Sequence, residues 1–372
     1  MSSADRPLYG IDAGGSGTSV RTWTGERWTM PPVNPSSVGQ DVSDRCLADL
    51  FGRIRAHAET GRERTDWVRA NWVRAGPDAG PDSRPAIRPA IWPAIWPAIW
   101  LASASVDPAT AGEEIRRCAA AARAAGLRAE LVISNDITPL LLGAPPEVGH
   151  VVVVCGTGTG FLATDGRSAP VRVGGCEYLG SDEGSAFDLG LRGLRTAVRG
   201  LDGRGQRTEI SDLLAAQAGE PVPELARRLA RTPFPKSVVA ALAPVVLRAW
   251  LAGDQAAAEL VDDVIGELVI GVRAARDAAA VTAGWRLSVV GGVMTGCPEF
   301  FSRLAAAATG LGADLVTLIS DPAAALLTAL ARLAGTDPIG LSDPRIDRDT
   351  WYLDLAGDTA GSHGKGLTSG HA

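Results

Sequence analysis

Lysine is nearly absent from this chain of 372 residues. Only Lys236 and Lys365 occur, and arginine supplies the rest of the 36 basic residues. A Walker-type phosphate loop needs a lysine beside its serine or threonine, and a protein kinase needs a lysine on a strand. Neither lysine here follows a glycine-rich turn that leaves a strand. The sequence therefore argues against both of these nucleotide-binding classes.

Cysteine and histidine are also scarce, with 5 and 4 residues, and no Cys-x-x-Cys pair occurs. A zinc site is therefore not expected, and a reduced, cytoplasmic setting is the simplest interpretation. The N-terminus shows no basic-then-apolar signal pattern, and no uninterrupted apolar run reaches the ~18–20 residues of a membrane-spanning helix. We therefore expect no association with a membrane.

The net charge of −6 gives no basic surface for nucleic acid. The proportions of hydrophobic residues, 46%, and charged residues, 21%, are ordinary for a folded soluble protein. A length of 372 residues leaves room for two compact lobes. The expected partner is a small molecule rather than nucleic acid.

Two glycine-rich turns, each between two apolar runs, are the most informative feature of the chain. The first turn follows Leu8–Ile11 and Asp12, and it contains Gly14, Gly15, Ser16, Gly17 and Thr18. The second follows the apolar run 150–155 and contains Gly156, Thr157, Gly158, Thr159 and Gly160. A backbone without Cβ atoms can direct N–H groups at an anion, and neighbouring hydroxyls add donors. Two such turns in two similar halves predict a cleft that holds one polyphosphate from both sides, as in a nucleotide-binding enzyme.

Two aspartates stand beside these turns. Asp12 ends a predicted strand, where a carboxylate can hold Mg²⁺ directly or through water. A solvated turn aspartate is the plainer interpretation, but the presence of the second turn favours the metal role. Asp136 follows the buried run Ala129–Ser134, and in isolation it would be a helix N-cap. Between two phosphate-binding turns, Asp136 is instead a candidate general base for a hydroxyl that attacks a γ-phosphate.

Two further segments suit the same cleft. Gly291 and Gly292 follow an apolar strand and leave flat backbone suited to adenine and ribose, although such a pair also occurs in ordinary strand-to-helix turns. Asp182 and Glu183 stand in the first turn of a predicted helix. Two carboxylates there either complement the helix dipole or, in a cleft, hydrogen-bond sugar hydroxyls.

The remaining pattern predicts an α/β fold with two lobes around a cleft. Hydrophobic periodicity predicts a hairpin over 8–30, helices over 41–60, 108–126, 322–334 and most of 208–280, and strands at 98–103, 129–134, 150–155, 160–164, 287–290 and 315–319. From Pro85 to Trp100 the chain repeats Pro-Ala-Ile-Arg/Trp four times, which excludes a helix or a central strand over the repeat. We expect the last copy to enter the strand 98–103 and the segment 76–97 to be a looped-out insert, unless its tryptophans dock a partner.

In combination, these motifs resemble the acetate and sugar kinase/Hsp70/actin superfamily, and within it the BadF/BadG/BcrA/BcrD ATPase family, which includes N-acetylglucosamine kinases. The resemblance runs from residue 8 to residue 335 and rests on GIDAGGSGTSVRTW, NPSS, ASVDPATAG, SNDITPLL, VVVVCGTGTGF, GGCEYLGSDEGSAF, VVGGVM and DPAAALLTAL. It implies a two-lobed actin-like ATPase (ribonuclease H-like) fold with a central nucleotide cleft. It also implies ATP and Mg²⁺ as cofactors, a small sugar as substrate, and a homodimer.

The expected domains follow from the same motifs. They are an N-terminal lobe, 1–138, a C-terminal lobe, 139–321, and a closing helix, 322–335, that packs on the N-terminal lobe. Beyond it the apolar periodicity is lost, which predicts a flexible tail over 336–372.

The resemblance also assigns roles to residues. Asp136 matches the catalytic base, Thr157 and Thr159 match phosphate contacts, and the positions at or near the sugar are Asn34, Asp107 and Asp182. Asn135, beside the base, is a further substrate-binding candidate. Cys176 stands where N-acetylglucosamine kinases usually have tryptophan, Ser181 where they have glycine, and Glu177 where a small residue is usual. We therefore expect an altered sugar pocket, with Cys176 and Glu177 among its residues.

Three functions remain open at this point. The leading hypothesis is an ATP-dependent kinase of an amino sugar such as N-acetylglucosamine or glucosamine. The second is an ATPase that activates a 2-hydroxyacyl-CoA dehydratase-type enzyme, with an iron–sulfur cluster on cysteines such as Cys155 and Cys176, although the glycine-rich cluster motif is missing. The third is a catalytically inactive sugar or nucleotide sensor, for which the tryptophan repeat is the one favourable feature.

Overall fold

Two β-sheets form the framework of the protein, which we describe from a computed structural model. The structure describes residues 7–15, 17–72, 96–106, 110–145, 147–233, 235–282, 284–333, 343–346 and 350–355. Most of the predicted insert 76–97, and the residues Ser16 and Asp107, lie outside these ranges. Within them, each sheet has helices packed against it.

The first sheet contains six strands in the spatial order β11-β5-β4-β1-β2-β3. The strands are β1 (Leu8–Ala13), β2 (Thr18–Thr22), β3 (Arg27–Met30), β4 (Ala98–Ser103), β5 (Glu130–Ser134) and β11 (Trp351–Asp354). The glycine turn joins β1 to β2 as an antiparallel hairpin, and β1 pairs in parallel with β4. All six residues of β4 are buried, as its continuous apolar sequence predicts for a strand covered on both faces.

The second sheet contains five strands in the order β10-β9-β6-β7-β8. They are β6 (His150–Cys155), β7 (Thr159–Thr164), β8 (Val171–Gly174), β9 (Trp285–Val290) and β10 (Ala313–Ile319). Its glycine turn joins β6 to β7 antiparallel, and β6 pairs in parallel with β9. Both sheets therefore repeat one unit, in which a hairpin closed by a glycine turn is followed by a parallel strand. This repetition places the two turns in equivalent positions.

Helices pack on both sheets. The helices are α1 (Pro35–Val38), α2 (Gln40–Trp72), α3 (Ala111–Ala124), the 3₁₀ helix Thr138–Gly143, α4 (Glu177–Gly180), α5 (Ala186–Leu201), α6 (Glu209–Ala218), α7 (Val222–Leu229), α8 (Lys236–Ala240), α9 (Ala243–Leu251), α10 (Gln255–Ala278), α11 (Gly292–Gly296), α12 (Pro298–Gly310) and α13 (Pro322–Leu333). Side chains of α2 and α3 pack on the first sheet, and those of α5, α10 and α12 pack on the second. A third core lies between the sheets and combines Trp100, Val152 and Leu330 with the 3₁₀ helix. The two sheets are thus joined by a shared apolar core.

Helix α13 returns to the first sheet and crosses β1 at Gly10. A Cβ atom on Gly10 would lie 2.3 Å from the carbonyl oxygen of Ala323, so only glycine permits this approach. At the start of α13, Asp321 accepts a hydrogen bond of 2.6 Å from Arg21 Nε on β2. These contacts fix the strand that leads into the first glycine turn.

The prediction of a flexible tail over 336–372 is wrong for the described residues Trp351–Asp354. These residues form β11, which pairs antiparallel with β5 at the edge of the first sheet. Trp351 and Leu353 pack against the core of that sheet. Four residues carry too little periodicity to predict a strand. The strand β11 is stabilised by pairing with the sheet edge at β5, which is distant in sequence.

No single helix in the described ranges is both long and apolar enough to cross a membrane. The pair Lys236–Leu251 and Gln255–Ala278 meets the length and composition limits only when its members are taken together, and the pair is bent by 119°.

His150 is a buried histidine at the junction between the sheets, with a side chain that is 2% exposed. Its Nδ1 lies 3.1 Å from the carbonyl oxygen of Leu141, which can only accept, so Nδ1 carries the proton. Its Nε2 then accepts from the hydroxyl of Ser288 at 2.8 Å. Burial, together with the nearby Arg345 and Arg286, outweighs the hydrogen bond to Leu141 and lowers the pKa of His150 from 6.5 to about 4.

We expect His150 to make the protein less stable in acid. The folded-state pKa lies below the unfolded one, so its contribution is complete above pH 6.5 and is lost as the pH falls towards 4. The full difference corresponds to about 3 kcal/mol in the free energy of unfolding. Urea titrations between pH 7 and pH 4 should show a shallower decline for His150→Gln than for the wild type. Parallel curves for the two proteins would contradict this account.

Candidate active site

A cleft of about 370 Å³ lies between the two sheets and is lined by both glycine turns. Fifteen of the residues singled out from the sequence line it: Asp12, Gly14, Gly15, Asn34, Asn135, Asp136, Gly156, Thr157, Gly158, Thr159, Gly160, Glu177, Asp182, Gly291 and Gly292. These residues come from opposite ends of the chain and from both sheets. The fold therefore brings the separate motifs together at one place.

Some of the other candidates lie away from the cleft wall. Gly17 and Thr18 do not line the cleft; Thr18 is buried at the start of β2, where it pairs with Ala13 and Met30. Cys176 is exposed and also lies outside the lining. Ser16 and Asp107 belong to the residues that the structure does not describe.

The first glycine turn places Asp12 at the cleft. Asp12 is the next-to-last residue of β1, paired in register with Ser19. Burial, together with the nearby carboxylates of Asp136 and Asp321, raises the pKa of its carboxyl group to about 7. Gly15 approaches Ser37 of the NPSS segment, where a Cβ atom would lie 3.5 Å from the serine Oγ. The turn thus combines a buried acidic group with closely approaching backbone.

The second glycine turn is anchored by helix α5. The carbonyl oxygens of Gly156 and Thr157 accept hydrogen bonds from the N–H groups of Ala186 and Phe187, at 2.9 and 3.3 Å, in the first turn of α5. The C=O and N–H of one trans peptide point in opposite directions, so the N–H groups of Thr157 and Gly158 point away from α5. Both residues line the cleft. This geometry suits an anion bound by backbone donors.

Gly291 connects the third motif to the second turn. Its φ is +128°, and a Cβ atom there would lie 2.1 Å from the carbonyl oxygen of Cys155. Backbone of β9 therefore touches backbone of β6 at the point where both strands end. Gly292 follows at the start of α11, and both glycines present bare backbone to the cleft.

Asp136 is held in place by its neighbour Asn135. The Asn135 amide donates to the carbonyl oxygen of Val106 at 2.9 Å, and its oxygen accepts from the N–H of Ile137 at 3.1 Å. The predicted substrate-binding side chain Asn135 therefore ties the backbone after Asp136 to the loop that follows β4. Burial raises the pKa of Asp136, whereas Arg172 and the N–H groups of Asp136 and Ile137 lower it. A carboxylate with a raised pKa at a cleft is suited to proton transfer.

Asp182 joins the second turn to a lysine. Its Oδ1 accepts a hydrogen bond of 2.8 Å from the N–H of Thr159, and its side chain is 4% exposed. Its Oδ2 lies 2.8 Å from Lys236 Nζ, an ion-pair distance at an angle that does not satisfy hydrogen-bond geometry. Lys236 also donates to Glu177 Oε2 at 2.8 Å. Burial lowers the pKa of Lys236, but the ion pairs with Asp182 and Glu177 raise it above its ordinary value.

The backbone around these carboxylates is in an uncommon conformation. Glu177 and Asp182 have φ angles of 62° and 74°, in the left-handed region that L-residues rarely adopt. Such residues persist where surrounding contacts fix them, and they are frequent at functional sites. The segment between β8 and α5 is therefore a preformed wall of the cleft.

Four polar residues of the cleft wall were not assigned to it from the sequence: Arg172, Lys236, Thr295 and Ser320. Lys236 offered a signal, because it is one of only two lysines, but rarity alone does not indicate a position. Arg172 lies on the short strand β8, next to β7 in the sheet. Its neighbours in the cleft become apparent only from the strand order.

Asp12 fits a magnesium site better than a site for a structural metal. Among the described residues, no group of three or more His, Cys, Asp or Glu side chains could hold a metal ion. Mg²⁺ often takes one or two protein carboxylates and completes its octahedron with water and phosphate oxygens. A buried carboxylate whose pKa is raised by two other carboxylates is a position where a cation would be stabilising.

Cys155 does not have the character of a cluster ligand. It is fully buried, its thiol donates to the carbonyl oxygen of Gly184 at 3.2 Å, and burial raises its pKa to about 12. Iron–sulfur clusters are held by thiolates, which such burial disfavours. The cysteine thus serves as a small core residue beside the second turn.

The architecture is shared with two solved structures of candidate N-acetylglucosamine kinases. The one from Porphyromonas gingivalis has a TM-score of 0.60 and 17% identity, and the alignment covers 88% of this chain and 99% of that chain. The one from Chromobacterium violaceum has a TM-score of 0.56 and 21% identity, with coverage of 88% and 99%. At these identities the similarity establishes the fold. The protein has the two-lobed actin-like ATPase (ribonuclease H-like) fold, with a cleft between its two α/β halves.

A family model matches almost half of the chain. The model of the BadF/BadG/BcrA/BcrD ATPase family matches residues 116–298, which confirms the resemblance inferred from the motifs. A curated N-acetylmuramic acid/N-acetylglucosamine kinase from Clostridium acetobutylicum is 27% identical over 156 residues. That match covers 41% of this chain, and it spans only about half, 50%, of the length of the curated relative.

Proposed function

We propose that the protein is an ATP-dependent kinase that phosphorylates a hydroxyl group of an amino sugar such as N-acetylglucosamine or glucosamine. The observation that carries the proposal is the convergence of both glycine turns, the Gly291–Gly292 backbone and Asp136 on one cleft. The kinase from Clostridium acetobutylicum and the two candidate N-acetylglucosamine kinases support the same reaction class.

Each part of the two substrates is assigned to the motif whose chemistry suits it. The phosphates of ATP lie between the two glycine turns, with the N–H groups of Thr157 and Gly158 as donors. The adenosine lies across Gly291 and Gly292. The acceptor sugar lies on the side of Asn34, Glu177 and Asp182, within reach of Asp136.

Asp136 acts as the general base. Its carboxylate takes the proton of the acceptor hydroxyl as the acceptor oxygen bonds to the γ-phosphorus. The bond from that phosphorus to the bridging oxygen breaks, and ADP carries away the electron pair. Asn135 keeps Asp136 in position through its two backbone hydrogen bonds.

Asp12 is the residue that would hold Mg²⁺ in this site. The cation would neutralise charge on the phosphates of ATP. Such neutralisation is needed because acidic side chains outnumber basic ones in the described part of the cleft. The lining contains four carboxylates and only two cations: Asp12, Asp136, Glu177 and Asp182 against Arg172 and Lys236. The walls alone would repel a polyphosphate.

A coupled ADP-release assay with Mg²⁺-ATP tests the function. The acceptors are N-acetylglucosamine, glucosamine, N-acetylmannosamine, N-acetylmuramic acid and glucose. We expect ADP release to rise at least ~10-fold over the acceptor-free rate with one of the amino sugars. ATP hydrolysis that no acceptor stimulates would favour an activator ATPase, and ATP binding without turnover would favour a sensor. The predicted homodimer is checked separately by light scattering.

A further inference from the structure

Lys236 is a cation already matched by two carboxylates in the wall of the cleft. Its ammonium group lies 2.8 Å from Glu177 Oε2 and 2.8 Å from Asp182 Oδ2. The three side chains, which we call the charge triad, all line the cleft. The charge triad carries a net charge of −1 when all three groups are ionised. The lysine therefore does not offer a free positive charge to an acidic ligand.

The position of Lys236 is fixed by close helix packing. Lys236 is the first residue of α8, and one turn later the carbonyl oxygen of Val239 faces Gly190 of α5. A Cβ atom on Gly190 would lie 2.2 Å from that oxygen, so the two helices touch through backbone. Helix α5 is also the helix that anchors the second glycine turn. The ammonium group is thereby held in register with the phosphate-binding turn.

The carboxylate of Asp182 is almost fully buried, and Lys236 supplies the charge that compensates it. The Asp182 side chain is 4% exposed, Oδ1 is bonded to the Thr159 N–H, and Oδ2 has no hydrogen-bond partner of good geometry. Without Lys236, a buried carboxylate oxygen at the cleft would be left without its compensating charge, which is costly. Another cation at the same place would recover that stabilisation.

We propose that Lys236 is a specificity-determining residue that sets the charge of the acceptor site, so that the site takes a neutral amino sugar and disfavours one bearing a carboxylate or an ammonium group. The proposal rests on the proposed kinase function. A carboxylate-bearing acceptor meets a net negative triad, and an ammonium-bearing acceptor finds both carboxylates already matched by Lys236. A neutral acceptor makes hydrogen bonds only and meets neither penalty.

The test compares kcat/KM for three acceptors: N-acetylglucosamine, which is neutral, glucosamine at neutral pH, which is cationic, and N-acetylmuramic acid, which is anionic. In Lys236→Met, the kcat/KM for glucosamine relative to that for N-acetylglucosamine should rise at least ~10-fold, because the substrate ammonium replaces the lost charge. The kcat/KM for N-acetylmuramic acid relative to that for N-acetylglucosamine should fall. Lys236→Arg should keep both ratios within about 3-fold of the wild type.

Glu177→Gln is the reciprocal variant. Its side chain is 65% exposed, so removal of its charge is compatible with folding even if Lys236→Met does not fold. Glu177→Gln leaves the charge of Lys236 less neutralised. The kcat/KM for N-acetylmuramic acid relative to that for N-acetylglucosamine should therefore rise at least ~5-fold. Arg227→Met is the matched control, because it removes an exposed cation paired to Glu224 on α7.

Two results would overturn the inference and can be told apart. If Lys236→Met and Glu177→Gln lower kcat/KM by the same factor for all three acceptors, the charge triad is only a structural support. In that case the wild-type turnover still stands and the kinase function survives. If the wild type shows no acceptor-dependent ADP release, the proposed function fails, and this inference fails with it.

Discussion

Asp136→Asn should lower acceptor-dependent ADP release by at least ~10²-fold. Asparagine has nearly the same shape and can still accept hydrogen bonds from the N–H groups of residues 136 and 137, but it cannot take a proton. The KM for ATP should stay within about 3-fold of the wild-type value, because the phosphate turns are unchanged. Steady-state kinetics with saturating acceptor, together with a binding measurement for ATP, separate these two effects.

The pH profile gives an independent check on the same residue. Burial raises the pKa of Asp136, so the catalytic carboxylate is present above that pKa and is lost as the pH falls. The wild-type kcat should therefore decline in acid at a pH above the ordinary range of aspartate. The residual activity of Asp136→Asn should lack this decline. Asp202→Asn, which removes an exposed carboxylate paired to Arg204, is the control and should match the wild type. Near-normal turnover in Asp136→Asn would exclude Asp136 as the base.

The position of the cleft could be predicted from the sequence because its main determinants are local. A glycine turn after an apolar strand carries its geometry within a few residues, and two such turns imply equivalent places in two halves. Strand β4 was predicted at its observed bounds, Ala98–Ser103, because a continuous apolar run after the prolines leaves few alternatives. Asp12 and Asp136 then follow from their places at the ends of strands.

The composition of the acceptor wall could not be predicted in the same way. Lys236 reaches Asp182 only because α8 packs on α5 through Gly190, a contact between helices that are separated in sequence. Asn135 is predicted as a substrate ligand from its motif, and its hydrogen bonds to the backbone of Val106 and Ile137 could not be predicted in that way. Periodicity indicates which face of an element is buried, but it does not specify which polar groups meet across two elements. Those meetings depend on helix packing and strand order.

Gly291→Ala should destabilise the protein by about 3 kcal/mol or more, and it should also weaken binding of ATP. The φ of +128° is a conformation that only glycine adopts readily, and a Cβ atom would lie 2.1 Å from the carbonyl oxygen of Cys155 and 2.8 Å from the nitrogen of Gly156. Both neighbours are backbone atoms of the second turn, so neither can move aside without displacing the phosphate-binding N–H groups.

Thermal unfolding and titration with ATP measure the two consequences. We expect the Tm of Gly291→Ala to fall by at least ~5 °C for a loss of this size in a chain of this length. Gly296→Ala is the matched control, because a Cβ atom added to this glycine of the same short helix α11 would have no neighbouring atom within 4 Å, and its φ is not positive. A loss of Tm in Gly291→Ala with unchanged affinity for ATP would mean that the backbone contact supports folding without shaping the phosphate site. A variant equal to the wild type in both measurements would refute the close approach of the two strands, because no rearrangement of side chains could accommodate an atom between them.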